Sequence, residues 1–255
     1  MISYVTTAFS PTNKPLDGRY ITASGYRGLL YRSVLDSANP RYREWLHDYP
    51  DPKPFSMVPY YDRKGHLAGL RYTAFDDECA NILADSWQIA QHQQKELQFG
   101  KYQKFSVENV QLFPCADWVD LAETPADREM VIDFVSPTLF KQGEGYMPLP
   151  MPRNVFMRPL KVWNHYAPEV LSIPEYWLNW VEDNIFIEQH DIQTVPVSYD
   201  RKNQEIGFVG RVKFKAGKKA GKKNLQYWQT LGHLLPICGT GSRTTVGFGA
   251  VERSE

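Results

Sequence analysis

Hydrophobic and polar positions along this chain alternate and cluster as two rounds of one element order. Residues 2–9 alternate and are β-branched, as a strand is. After a polar stretch, 10–20, Thr22 is placed to cap a helix running to about Ala38, with Tyr26, Leu30 and Val34 as one apolar stripe. Asn39-Pro40 ends it, and a short helical segment, 41–48, stops at Pro50-Asp51-Pro52. Segments 53–61 and 67–75 predict two strands around the turn Asp62-Arg63-Lys64-Gly65. Asp76-Asp77-Glu78 opens a helix to about His92, its acids set where they complement the helix dipole. Strand-like 97–102 and 105–113 follow.

That order is β-α-β-β-α-β, the split βαβ of ferredoxin-like folds. The second half repeats it: a strand at 130–135, a long Pro-rich insertion, and a helix from Pro174 to about Gln189. Strands at 191–199 and 206–215, a helix at 224–235 and a strand at 245–251 complete it. The joint is Thr124-Pro125-Ala126-Asp127. The expected class is α+β, two tandem ferredoxin-like domains over 1–125 and 126–255.

Composition agrees with a globular protein: 42% hydrophobic, 23% charged and 14% aromatic residues. No stretch approaches the roughly 18 apolar residues of a membrane helix, so no membrane partner is expected. The N-terminus lacks the basic and apolar regions of a secretory signal. Cys79, Cys115 and Cys238 stand far apart. They read as small buried side chains in a reducing cytoplasm rather than as a disulfide or zinc framework.

Net charge is zero, but it is not evenly spread. Residues 201–255 hold eleven Lys/Arg against three Asp/Glu, a net of +8, leaving −8 in the preceding 200. Such asymmetry points to a polyanion. Arg211, Lys213, Lys215, Lys218, Lys219, Lys222 and Lys223 put seven cations into thirteen residues without an acid. By itself the run is equally a solvated surface loop. Just beyond it, Gly239-Thr240-Gly241-Ser242-Arg243 and Gly247-Phe248-Gly249 place two G-x-G pairs around a basic centre. Glycine permits sharp turns and close approach of the main chain to a ligand, although a plain tight turn would look the same. Nucleotide-binding loops run from strand to loop to helix. Here a helix precedes the loop and a strand follows, so a triphosphate site is excluded.

The order strand, basic loop, helix, G-x-G-x5-G-x-G and final strand resembles the CRISPR-associated repeat-processing endoribonucleases of the RAMP superfamily. Two further stretches are similar to that family. One is Phe134-Val135-Ser136-Pro137-Thr138-Leu139-Phe140 with Pro148-Leu149-Pro150 and Val155-Phe156. The other is Arg27-Gly28-Leu29-Leu30-Tyr31 followed by Leu46-His47-Asp48 and Lys53-Pro54-Phe55-Ser56. Together they span nearly the whole chain, and the last two point more narrowly to the processing enzyme.

The resemblance implies a metal-independent endoribonuclease that cuts CRISPR repeat RNA in precursor crRNA by 2′-hydroxyl attack, leaving a 2′,3′-cyclic phosphate and a 5′-hydroxyl. It needs no cofactor. Such cleavage requires a base, an acid and positive charge at the phosphorane, which histidine and arginine or lysine supply. By family position His47 is the general acid or base, with Arg27 and Tyr31 orienting the phosphate or hydroxyl and Lys53 a further cation. RNA contacts are implied for Arg153 and Arg158, which otherwise read as surface arginines. The basic run and Gly239, Gly241, Ser242, Arg243, Gly247 and Gly249 complete the expected RNA surface. Partners would be precursor and mature crRNA and a CRISPR effector complex. Two rivals stay open: a non-cleaving RNA-binding subunit of that complex, and an unrelated two-domain small-molecule enzyme.

Overall fold

The computed structural model describes residues 1–200 and 204–254. The chain forms two compact units. The first is Met1–Cys115 with Ser198–Gln204 and Thr245–Gly247; the second is Ala116–Val197 with Glu205–Thr244 and Phe248–Glu255.

In the first unit β1 (Ile2–Pro11) leads into a helical run of α1 (Ala23–Gly28), a π-helical stretch (Leu29–Leu35) and α2 (Asp36–Ala38), followed by α3 (Pro40–Asp48). Strands β2 (Phe55–Tyr61) and β3 (Leu67–Ala74), helix α4 (Asp77–His92), and strands β4 (Leu97–Phe99) and β5 (Gln103–Ala116) complete it. The sheet order is β2-β3-β1-β5-β4, a ferredoxin-like arrangement with one extra edge strand. The alternation in β1 has its purpose here. Val5, Thr7 and Phe9 are buried, while Tyr4, Thr6 and Ala8 are only half-buried. Phe9 packs against Trp87 of α4, with ring centres 5.8 Å apart. The Asp76 carboxylate caps α4 by accepting from the Cys79 amide at 2.7 Å.

In the second unit α5 (Trp118–Ala122) precedes β6 (Glu129–Thr138) and a small hairpin, β7 (Phe140–Gln142) and β8 (Gly145–Met147). Then come α6 (Pro152–Tyr166), α7 (Trp177–Asn184), β9 (Ile185–Ser198), β10 (Gln204–Ala216), α8 (Lys222–Cys238) and β11 (Val251–Ser254). Sheet order β11-β6-β10-β9 is again ferredoxin-like. Met130, Ile132 and Phe134 of β6 and Val212 and Phe214 of β10 are buried, and Phe156 of α6 meets Phe214 and Trp228 edge-on. The class is α+β with two tandem ferredoxin-like folds.

Three local expectations are corrected. Part of the Pro-rich insertion is helix α6. Pro152 sits in its first turn, where a fixed φ and a missing amide cost nothing, and Pro159 lies inside the helix with its ring buried. The helix expected from Pro174 to Gln189 ends at Asn184, and the chain turns extended at Ile185. The last strand starts at Val251 rather than 245, because Gly247 (φ 95°) and Gly249 (φ 69°) adopt left-handed backbone that no strand accepts.

Candidate active site

The helical run after β1 starts where Thr22 accepts from the Gly25 amide at 3.3 Å. Tyr26, Leu30 and Val34 are buried as one stripe, which turns Arg27 and Tyr31 toward the other side. From Leu29 the backbone widens to π geometry, and the Asp36 amide reaches back five residues to the Tyr31 carbonyl. Single π stretches of this kind concentrate at functional sites. Asn39 caps α3 and Pro40 begins it, so His47 falls in its last turn.

His47, Tyr31 and Arg27 converge. The imidazole and the Tyr31 ring stand edge to face with centres 6.2 Å apart, and the Arg27 guanidinium lies 5.8 Å from the Tyr31 ring centre. All three line a cavity of about 780 Å³ with Arg32, Arg43 and Tyr199. His47 is 57% exposed there, and its Nδ1 lies 2.9 Å from the Asp48 carboxylate. Among the described residues Nε2 has no hydrogen-bond partner. The Arg27 guanidinium donates to the Tyr199 hydroxyl at 3.3 Å. Tyr31 donates to the Leu46 carbonyl at 3.4 Å, and burial pushes its hydroxyl up to about 12. It is a neutral phenol at cellular pH, able to donate and unfit to act as base.

Lys53 stands behind this group. Its ammonium donates to the carbonyls of Leu46 (3.1 Å), His47 (2.6 Å) and Tyr49 (2.6 Å), the last carbonyls of α3. Burial first, then Arg27, lowers its pKa. The cation therefore holds the end of the helix that carries His47.

Sequence reasoning missed Arg32, Arg43 and Tyr199. Arg43 had a signal, since it lies one helical turn before His47. Arg32 had none, because ordinary helical periodicity puts it away from Tyr31's face. Tyr199 arrives from a segment 152 residues beyond His47, and no local pattern announces it.

In the second unit, Arg211, Lys213 and Lys215 alternate along β10 and are paired across the sheet. Arg211 holds Asp133 through two bonds, at 2.6 and 3.0 Å. Lys213 and Lys215 each bridge Glu129 and Glu188 at 2.6–3.1 Å. Those contacts lower the three carboxylates and raise all three cations. Lys218 and Lys219 lie in the exposed turn beyond, whose Gly217 and Lys218 carbonyls are held by Arg128. Lys222 and Lys223 open α8 with no acid in its first turn, and the Lys223 ammonium lies 5.5 Å from the Tyr227 ring centre.

The glycine loop is built for close packing. A Cβ on Gly249 would stand 1.8 Å from the Thr240 carbonyl oxygen, and one on Gly241 would stand 2.6 Å from that of Leu139. The amides of Thr240, Ser242 and Gly249 are spent on the carbonyls of Gly249, Leu139 and Pro137. Gly239 ends α8 at φ 70°. Arg243 pairs with Glu205 and donates to Tyr146 at 3.1 Å. Arg158 donates to the Cys238 carbonyl at 3.2 Å, and Arg153 to Asn179 at 2.9 Å. These contacts tie α6 to α7 and α8 and the glycine loop to β8 and β10, and the Thr240 hydroxyl joins the loop to α6 by donating to the Val155 carbonyl at 2.7 Å.

Residues 132–251 match the family model of the CRISPR-associated endoribonuclease Cas6. This segment, just under half of the chain, is similar in sequence to the Cas6 family. Its bounds take in most of β6, helices α6 and α8, the basic run and the glycine loop. Over the full length the fold is like that of a Cas6 product complex at 21% identity and TM-score 0.79, with 100% of both chains covered. A Cas6 substrate mimic complex gives 21% and 0.76, again with 100% of both covered. Thermus thermophilus Cas6 gives 20% and 0.74, over 100% of this chain and 98% of that one. Comparison with curated proteins finds no match. At these identities the solved structures carry the fold, so the chain shares the Cas6 architecture over its full length. Among the described residues no helix is long and apolar enough to cross a membrane.

Proposed function

We propose that this chain cuts CRISPR repeat RNA in precursor crRNA without a metal, with catalysis in the first domain and much of the RNA grip in the second. One observation carries the reading: His47, Tyr31 and Arg27 line a single open cavity, with the His47 and Tyr31 rings edge to face in it. The ribose 2′-oxygen loses its proton and attacks the adjacent phosphorus. The P–O5′ bond breaks, and O5′ takes up a proton. His47 supplies one of these proton steps, with Asp48 steadying its other nitrogen. Arg27 meets the phosphorane charge. Tyr31, as a neutral phenol, donates and holds the α3 main chain. The products are a 2′,3′-cyclic phosphate and a 5′-hydroxyl. Lys53 contributes by fixing the carbonyl end of α3. The Cas6 match over 132–251 and the Cas6 fold over the whole length support RNA as substrate.

The test incubates labelled repeat RNA with protein in EDTA. Wild type cuts unmodified RNA and spares RNA with a 2′-deoxy substitution at the scission site, and His47→Ala cuts about 10²- to 10⁴-fold more slowly. Undiminished cutting by His47→Ala removes that residue from the mechanism. Cutting of the 2′-deoxy RNA removes the mechanism itself.

A further inference from the structure

Two further concavities continue from the His47 cavity along the first unit. Ser24 lines both that cavity and a second of about 460 Å³, bounded by Thr22, Gly25 and Asp200. Tyr20, Phe99 and Gly100 line both the second and a third of about 460 Å³, where Lys14, Lys101 and Tyr102 stand. Shared walls make the three one track.

Two aromatic rings stand out of this track into solvent: Tyr20 is 76% exposed and Tyr102 is 71% exposed. Each has a cation beside it. The Arg19 guanidinium lies 5.9 Å from the Tyr20 ring centre, and the Lys14 ammonium lies 5.9 Å from that of Tyr102. Asp17 also lines the track, but Arg19 holds its carboxylate at 2.7 Å. Asp200 lines the second concavity, and Glu44 and Asp48 line the His47 cavity itself. Among the described residues neither Lys14 nor Lys101 has a carboxylate partner. The cations of β10 are already neutralised by Asp133, Glu129 and Glu188, so the two surfaces differ in what they offer a phosphate.

We infer that this track holds an unpaired stretch of the RNA whose scission point lies in the His47 cavity. Bases stack on Tyr20 and Tyr102, and their phosphates meet Lys14 and Lys101. The inference rests on the proposed RNA cleavage for its ligand. Exposed ring faces interleaved with cations suit single strands, because every unpaired base has a π-face to stack and a phosphate beside it. A paired stem buries its base faces and presents ribose and phosphate outward, leaving the tyrosines nothing to stack on.

The experiment compares repeat RNAs made uncleavable by a 2′-deoxy group: one trimmed to its paired stem, and two others extended by about ten nucleotides on one side or the other. Affinity is read by fluorescence anisotropy. One extension strengthens wild-type binding by about 10-fold or more, the size expected of stacking. Tyr20→Ala with Tyr102→Ala abolishes the gain but binds the trimmed RNA as wild type does and cuts its cleavable form equally fast. Tyr20→Phe with Tyr102→Phe keeps the gain, since the ring faces remain. A 2-aminopurine placed in the extension is quenched on wild type and not on the double alanine variant. No gain from either extension, or a full gain in the double alanine variant, overturns the track. Failure of wild type to cut any RNA overturns the cleavage reading instead, while the affinity gain still decides the track.

Discussion

The Tyr31 hydroxyl shows how one buried polar group ties packing to chemistry. Burial raises it to about 12, whereas an unfolded tyrosine titrates near 10. The folded state therefore holds this proton more tightly than the unfolded chain does. That stabilisation is complete below pH 10 and fades as pH climbs to about 12. Tyr4, also pushed up to about 12 by burial, adds to the same loss. Denaturant midpoints measured at pH 9 and pH 11.5 should fall steeply for wild type and less steeply for Tyr31→Phe. Lys53 makes a different residue-scale prediction. Its three bonds satisfy carbonyls that the end of α3 leaves open. Lys53→Met should cost about 1–2 kcal/mol in denaturant unfolding, with cleavage slowed less than in His47→Ala.

At the scale of elements, the glycine loop separates two uses of glycine. Gly249 combines a left-handed φ of 69° with a Cβ position 1.8 Å from a main-chain oxygen, so an added methyl meets backbone that cannot yield. Gly249→Ala should lose more than about 3 kcal/mol. Gly65, at the β2–β3 turn with φ 79°, has open space around its would-be Cβ, and Gly65→Ala should lose about 1 kcal/mol. Equal losses in thermal melts of the two variants would refute this account of the loop. The helical run was legible from its stripe and its Thr22 cap, but the π stretch inside it was not. An extra residue in a turn leaves the apolar spacing almost unchanged while it re-aims Arg32.

For the whole molecule, the basic C-terminal end implies strong salt dependence of RNA binding, and pairing decides which cations contribute. A cation already neutralised by its own carboxylate releases few counterions when RNA arrives. Arg211→Gln and Lys213→Gln should leave the slope of log affinity against log salt nearly unchanged, because Asp133, Glu129 and Glu188 already hold those charges. Lys218→Gln and Lys219→Gln should each flatten it by about 0.7–0.9. Reversal of that ranking in salt titrations would place the RNA across the β10 face. The asymmetry visible in the sequence therefore overstates the usable charge, since the compensating acids come from β6 and β9, strands distant in the chain.

Local patterning was enough to read the twice-repeated β-α-β-β-α-β order, while His47, Arg27 and Tyr31 became candidates through the resemblance to the repeat-processing family. Strand alternation, helix stripes and caps act over a few residues and are written in neighbouring positions. Only the folded chain could decide that Lys53 caps α3, that three glycine-loop amides are spent on the loop's own neighbours, and that Tyr199 joins Arg27 at the cavity. Each depends on groups brought together from far apart in the chain, and such meetings are set by packing, which no local period records.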